Sequence, residues 1–226
     1  MGLPVIDSPP AWAHRACSLE RWRASSRGLP RRSGAMARSR TSSSCGAFGL
    51  DGRGAMSAGF RFHSHSPEQT RDLASMLARV IDERGVVVAL EGPLGAGKTV
   101  FVKGLAAGLE IDPSSVSSPT FVIASEYEGR GPDGSPRRLI HADLYRVGSA
   151  AELEGAGYLD WIVPGHVVAV EWAERALRWL PRDHLRVSLE TLGRDRRRLH
   201  VQATGPRSVQ LATKWVEAGG FAVQLA

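Results

Sequence analysis

A glycine-rich octapeptide directly follows an apolar, β-branched segment of this chain. The segment covers residues 86–90, and the octapeptide is Gly92, Pro93, Leu94, Gly95, Ala96, Gly97, Lys98 and Thr99. The continuous apolar segment predicts a strand that is covered on both faces. The spacing of Val102, Leu105 and Leu109 after the octapeptide predicts a helix. A strand, this G-x-x-x-x-G-K-T spacing and a helix together predict a phosphate-binding loop.

The residue types in this loop match the chemistry of a bound triphosphate. Glycines let the backbone turn sharply, so that successive N–H groups point at phosphate oxygens. The start of the helix adds partial positive charge at the same place. We expect Lys98 to reach the β- and γ-phosphates and Thr99 to offer its hydroxyl to Mg²⁺. An ordinary glycine-rich turn would explain the glycines but not the Lys-Thr pair behind them, so the sequence predicts ATP and Mg²⁺ as cofactors.

Two acidic residues end other apolar segments. Asp143 closes residues 139–143, and Glu171 lies at the end of the segment that begins at Val167. In an open α/β sheet, such strand ends face the ligand crevice, and Mg²⁺ requires oxygen ligands beyond one threonine. The alternative is that these acids are solvated or cap the next helix. Spacing alone does not decide which acid holds the metal and which orients a water molecule.

The remaining pattern predicts a single α/β domain over residues 58–226. Its P-loop NTPase fold has a mixed, largely parallel central sheet flanked by helices. Ser66 and Pro67 predict the start of a helix that ends near Gly85. Further strands are predicted at residues 60–63, 121–127, 139–143, 167–172, 185–191 and 199–203, and a closing helix at residues 209–217. The turn-rich residues 129–136 predict a hairpin.

The basic net charge of +6 belongs entirely to residues 1–57, which carry nine arginines and three acidic residues. The rest of the chain carries 20 basic and 20 acidic residues, so the net charge says little about what the folded part binds. We interpret residues 1–57 as a disordered extension or a mis-assigned start, with Met36 or Met56 as the alternative first residue. An Arg- and Ser-rich transit peptide is the other interpretation.

Cysteine usage and hydropathy exclude several classes of protein. Both cysteines, Cys17 and Cys45, lie in the N-terminal segment, so the predicted domain has no disulfide and no cysteine chemistry. This composition is typical of a reducing cytoplasm. The sequence has no run of about 18 apolar residues, and we therefore expect no membrane span.

The chain resembles the TsaE family, the ATPases of bacterial tRNA threonylcarbamoyladenosine synthesis, from about residue 60 to about residue 203. Many NTPases share the phosphate-loop block, whereas the H-x-D-x-Y-R and E-W blocks are specific to this family. Besides the loop, the matching blocks are Ser118-Pro119-Thr120-Phe121, His141-Ala142-Asp143-Leu144-Tyr145-Arg146 and Glu171-Trp172-Ala173-Glu174-Arg175.

The resemblance implies a function and a set of partners. Members act in the cytoplasm with TsaB and TsaD, which modify N6 of adenosine 37 in tRNA. The TsaE-like protein binds and hydrolyses ATP while it acts on that complex. It does not transfer the threonylcarbamoyl group itself, and it contacts tRNA only through the complex.

The resemblance also implies roles for individual residues. Thr99 and Glu171 would be the Mg²⁺ ligands, and Lys98 would be a catalytic residue. Asp143 would face the γ-phosphate or its water, and Thr120 would be the switch threonine. Trp172 would lie beside the nucleotide. Weaker implications place Glu174, Arg194 and the Ser66–Glu68 entry to the first helix at the edge of the nucleotide.

Two other functions fit the same loop. A small-molecule kinase would need a lid that carries arginines over the phosphates, and residues 129–136 are short for that purpose. A nucleotide-dependent assembly factor would need binding without turnover. Residues outside the loop also keep two interpretations. His141 is either a base or γ-phosphate contact, or a packed, hydrogen-bonded histidine. The basic cluster of Arg194 and residues 196–198 is either solvated or in contact with phosphates of tRNA or of the nucleotide.

Overall fold

The computed structural model describes residues 49–50, 56–119, 122–219 and 224–225. The helices are α1 (Pro67–Ala78), α2 (Lys98–Gly108), α3 (Ala150–Gly155), α4 (Tyr158–Trp161) and α5 (Pro206–Gly219). The strands are β1 (Gly49–Leu50), β2 (Met56–Ser64), β3 (Val86–Glu91), β4 (Ala124–Arg130), β5 (Pro136–Asp143), β6 (His166–Glu171), β7 (Leu185–Thr191), β8 (Arg197–Ala203) and β9 (Gln224–Leu225). A single 3₁₀ turn at Ala173–Arg175 follows β6.

The strands form one mixed sheet in the order β1-β2-β8-β7-β3-β6-β5-β4, with β9 also paired to β2. The four central strands β7, β3, β6 and β5 are parallel, whereas the outer strands pair antiparallel. The carboxyl ends of the central strands therefore meet at one edge, where Glu91, Asp143 and Glu171 lie. The predicted α/β class with a mixed sheet and a parallel centre is confirmed.

Helices α1, α2 and α5 share one apolar core with a face of the sheet. Trp215 of α5 is fully buried, and its ring lies 4.9 Å from that of Phe62 and 6.2 Å from that of Phe101. Its Nε1 donates to the carbonyl of Leu73 at 2.8 Å. The ring of the indole therefore packs in the core while its N–H has a hydrogen-bond acceptor. This packing holds α2 against the sheet, and the glycine-rich loop lies between β3 and α2.

Three details of the predicted elements are wrong. The strand predicted at residues 121–127 is β4, which begins only at Ala124 and runs to Arg130. Its register is set by pairing with β5, and its polar residues at an edge of the sheet give no apolar pattern. Helix α1 ends at Ala78 and not near Gly85, because Val80 and Ile81 close short turns onto Leu77 and Ala78.

The third detail is that α3 and α4 were not predicted, since both helices are too short to give a periodic signal. None of the helices in the described ranges is long and apolar enough to cross a membrane.

Candidate nucleotide-binding site

The loop between β3 and α2 depends on glycines in conformations that other residues avoid. Gly92, Gly95 and Gly97 have φ angles of 134°, 75° and 102°. A Cβ on Gly92 would lie 2.5 Å from the carbonyl oxygen of Leu189, so the backbone approach there admits only glycine. Because Gly97 caps α2 and has no side chain, the first-turn amides of the helix stay open to an anion.

The predicted loop residues divide into an exposed and a buried group. Pro93, Leu94 and Gly95 form the exposed outer side, with Leu94 89% accessible. Ala96 and Lys98 are buried. The outer side of the loop is therefore exposed, whereas its last residues pack into the protein.

Lys98 lies inside the loop, and its ammonium donates to two backbone carbonyls of the loop. Its Nζ donates to the carbonyls of Gly92 at 2.7 Å and Pro93 at 3.0 Å, and lies 3.9 Å from the centroid of the Trp172 ring. Burial lowers the pKa of Lys98, while the charges of Glu171, Glu174 and Asp143 oppose that shift. All three carboxylates are therefore close enough to stabilise the charged ammonium. Of the three residues, Glu174 is exposed.

The structure brings Thr99 and Glu171 together, 72 residues apart in the chain. Thr99 Oγ1 donates to Glu171 Oε1 at 2.8 Å. His141 Nε2 lies 2.9 Å from the same oxygen, and the imidazole is completely buried. Because an ionised carboxylate only accepts, His141 donates here through Nε2–H. His141 is therefore buried and hydrogen-bonded to Glu171, which favours the interpretation of a packed histidine.

Asp143 is held by two donors at the end of β5. Ser118 Oγ donates to Asp143 Oδ2 at 3.0 Å, and the backbone N–H of Tyr145 donates to Oδ1 at 2.9 Å. The segment before β4 is therefore tied to the strand-end carboxylate by Ser118. Thr120, the predicted switch threonine, lies outside the described residues.

Trp172 follows Glu171 in a left-handed conformation, with φ of 56°. That conformation costs a bulky residue about 1–2 kcal/mol, and it turns the indole towards Lys98. The Tyr145 ring lies 4.9 Å from that of Trp172, and the Arg175 guanidinium carbon lies 5.2 Å from the Tyr145 centroid. These side chains form an aromatic wall beside the loop.

The basic cluster contacts the glycine-rich loop through Arg197, which the sequence grouped with Arg194 but did not place at the loop. The side chain of Arg194 is exposed, and its backbone carbonyl accepts a hydrogen bond from Arg197. Arg197 Nε donates to the carbonyl of Ala96 at 2.9 Å, which ties the phosphate loop to the β7–β8 turn. Strand alternation places Arg197 on the same face as the buried Leu199 and Val201, and this was the signal that could have identified it.

The donor set fits Mg²⁺ shared with a phosphate. Among the residues that the structure describes, no group of three or more His, Cys, Asp or Glu side chains could hold a metal alone. Thr99 and Glu171 instead supply one hydroxyl and one carboxylate oxygen at a single point. Mg²⁺ is commonly held in this way, by one or two protein oxygens, water and substrate phosphates.

Comparisons with known proteins identify one family. A family described as "Threonylcarbamoyl adenosine biosynthesis protein TsaE" matches residues 64–199, which include every residue of the site. The TsaE protein of Treponema pallidum is 36% identical over 138 residues, which are 61% of this chain and 96% of that protein. The TsaE protein of Aquifex aeolicus is 43% identical over 111 residues, or 49% and 74% of the two chains.

A solved structure is also similar to this chain. The crystal structure of Bacillus subtilis YdiB matches with a TM-score of 0.56 and 31% identity, covering 73% of this chain and 98% of that one. Because the family match covers more than half of the chain and includes its phosphate loop and both strand-end acids, the chain belongs to the TsaE family.

Proposed function

We propose that this protein binds and hydrolyses ATP with Mg²⁺ as a subunit of the machinery that synthesises threonylcarbamoyladenosine in tRNA. Its relatives are named as tRNA threonylcarbamoyladenosine biosynthesis proteins, which supports the pathway. The loop with its lysine and the two strand-end acids supports the chemistry. We further propose that the protein works in the cytoplasm on the TsaB–TsaD complex and contacts tRNA only through it.

The contact between Thr99 and Glu171 is the observation that carries this proposal. A hydroxyl at the start of α2 and a carboxylate at the end of β6 meet at 2.8 Å beside a lysine and an open helix N-terminus. A purely structural glycine-rich turn would require neither the buried carboxylate nor its hydroxyl partner. When bound, Mg²⁺ would neutralise charge on the β- and γ-phosphates.

Residues of the chain itself would bind the phosphates and orient the attacking water. The amides of the loop and the Lys98 ammonium hold the phosphates and stabilise charge that develops on them. Lys98 has three donors, so it can keep a loop carbonyl while it binds a phosphate oxygen. Asp143, held by Ser118 and the Tyr145 amide, orients the attacking water. Trp172 and Tyr145 wall the site beside Lys98.

The first test is calorimetry of ATP binding with Mg²⁺ and with EDTA. We expect wild-type protein to bind ATP more tightly with Mg²⁺, and Lys98→Ala to lose binding in both conditions. Glu171→Gln keeps the shape of the side chain but removes its charge, so it should reduce the gain that Mg²⁺ brings. Glu126→Gln, on the exposed edge strand β4, is the matched control. Equal affinity of Glu171→Gln and wild type in Mg²⁺ would exclude the metal role of Glu171.

The second test measures turnover and the partners. We expect slow release of phosphate by the isolated protein and faster release when TsaB and TsaD are added. Asp143→Asn should still bind ATP but lose the stimulated rate. ATP binding without any stimulation by TsaB–TsaD would retain the nucleotide site and reject the proposed partners.

A further inference from the structure

One guanidinium group connects the phosphate loop to the turn of the β7–β8 hairpin. Arg197 Nε donates to the carbonyl of Ala96 at 2.9 Å, and Nη2 donates to that of Gly95 at 3.3 Å. The remaining nitrogen, Nη1, donates to three carbonyls of the turn at 3.0–3.2 Å, namely those of Gly193, Arg194 and Arg196. The side chain therefore binds backbone oxygens on both sides and is not a freely solvated charge.

Holding a carbonyl also directs the amide on the same peptide. In a trans peptide the C=O and N–H bonds point in opposite directions. Because Arg197 holds the Ala96 carbonyl, the Gly97 N–H points away from the hairpin. The neighbouring Ala96 N–H already donates to the Pro93 carbonyl at 3.1 Å. Gly97 caps α2 at the positive end of its dipole, where an amide can bind a phosphate.

The loop has other contacts with the same hairpin, but these do not orient its peptides. A Cβ on Gly92 would clash with the Leu189 carbonyl, and a Cβ on Gly97 would lie 3.8 Å from the Leu189 side chain. These packing contacts set how closely the loop approaches β7. The hydrogen bonds from Arg197 act instead on the orientation of individual peptide groups of the loop.

We propose that Arg197 is a positioning residue that holds the phosphate loop in its anion-binding conformation without itself contacting the phosphates. The inference rests on the proposed function, because it assumes that a nucleotide binds at this loop. The role requires two donors in a fixed planar fork, so lysine should not replace arginine. A residue that acted only through positive charge on the phosphates would tolerate lysine.

The experiment compares Arg197→Lys and Arg197→Gln with Arg198→Lys in the full-length chain. Arg198 is the next residue of β8, and its Nη1 donates to Glu190 Oε2 at 2.8 Å. Because this ion pair does not involve the loop, Arg198 is the matched control. Calorimetry with Mg-ATP, and with ADP in EDTA, should give Kd values about tenfold to a hundredfold higher for both Arg197 variants, as expected for lost charge-assisted hydrogen bonds. The factor should be the same for both nucleotides, because the metal ligands are unchanged. Arg198→Lys should bind like wild type.

Hydrogen exchange without nucleotide is the second measurement, and it separates positioning from general stability. We expect peptides covering residues 92–99 to exchange faster in Arg197→Lys, with β6 unchanged. Failure of the wild-type protein to bind either nucleotide would reject the proposed function itself. If wild type binds, unchanged affinity in Arg197→Lys would overturn the inference. Weakened ATP binding with unchanged ADP binding would also overturn it, since that pattern indicates direct contact with the γ-phosphate. Faster exchange throughout the variant would indicate a role in folding only and would overturn it too.

Discussion

His184 is a histidine outside the candidate nucleotide site whose burial favours its neutral form. Its Nδ1 lies 2.7 Å from the Pro181 carbonyl and donates to it, and its Nε2 is buried without a hydrogen-bond partner among the described residues. Burial lowers the pKa of His184 below its ordinary value of 6.5, and the charge of Arg186 acts in the same direction. The Pro181 hydrogen bond and the charges of Asp183 and Glu91 oppose the shift without reversing it.

This shift predicts that acid destabilises the fold. Between the folded and unfolded pKa values, the unfolded chain binds a proton that the folded chain does not. The contribution of His184 to stability is therefore complete above pH 6.5 and decreases as the pH falls towards the folded pKa. Urea unfolding from roughly pH 7.5 to 5.5 should show this decrease in wild type and a smaller one in His184→Asn.

The control for this prediction is His65→Asn, because His65 is exposed. It should keep the wild-type dependence on pH. His200, whose pKa is also lowered by burial and by Arg61 and Arg186, acts in the same direction and remains in every variant. The same slope in His184→Asn and wild type would show that His184 does not contribute.

The side chains of the site that belong to recognisable sequence patterns could be predicted, whereas the roles that depend on contacts between strands could not. Lys98 and Thr99 follow from loop spacing, and Glu171 from its place at a strand end. Spacing left the role of His141 open, because alternation predicts which face a residue occupies but not its neighbour on the next strand. The partner of Arg197 was missed for the same reason, since Ala96 is 101 residues away in the chain.

At the level of elements, α1 and α2 cross so closely that their contact requires glycine. A Cβ on Gly104 would lie 2.3 Å from the backbone oxygen of Arg71 and 2.7 Å from the Cβ of Ala74. One turn further, a Cβ on Gly108 would lie 2.4 Å from the backbone oxygen of Ser75. The crossing holds α2, and hence Lys98 and Thr99 at its start, against α1.

We predict that Gly104→Ala destabilises the protein by about 1–3 kcal/mol, because neither backbone can withdraw without disturbing the core. The higher helix propensity of alanine would recover less than about 1 kcal/mol of this loss. Gly155→Ala is the control, since a Cβ there meets nothing within 4 Å, and it should be neutral or slightly stabilising. Urea denaturation measures both variants, and equal stability of the two would contradict the close crossing.

The elements were predicted best where the chain is buried on both faces. The apolar segments at β3 and β6 correspond to central parallel strands with nearly every residue buried. The edge strand β4 alternates between half-buried and exposed residues, and its position depends on the partner strand. Local pattern therefore identifies the centre of this sheet, whereas its edge depends on pairing that a single segment does not encode.

At the level of the whole molecule, the net positive charge comes from residues 1–45, whereas the candidate nucleotide site lies later in the sequence. Residues 1–45 contain eight of the 29 basic residues and two of the 23 acidic ones, which leaves 21 of each from Gly46 onwards. The described residues from Gly49 onwards belong to one compact unit, and this unit contains every described residue of the site. Attraction to polyanions and binding of ATP should therefore be separable.

We predict that removing residues 1–45 removes the non-specific, salt-dependent attraction of the isolated chain to RNA, which is separate from the proposed contact with tRNA through TsaB–TsaD. The affinity for Mg-ATP should stay within about twofold of the full-length value. Sequence-independent attraction to phosphate backbones scales with the number of cations that reach them, and the truncated chain has no net charge to supply it. Fluorescence anisotropy of an unstructured RNA oligonucleotide over a salt series measures the first property, and calorimetry measures the second. Full retention of RNA binding after truncation would instead locate the polyanion contact on the folded unit, where Arg194 and Arg196 on the exposed hairpin turn would be the first residues to replace.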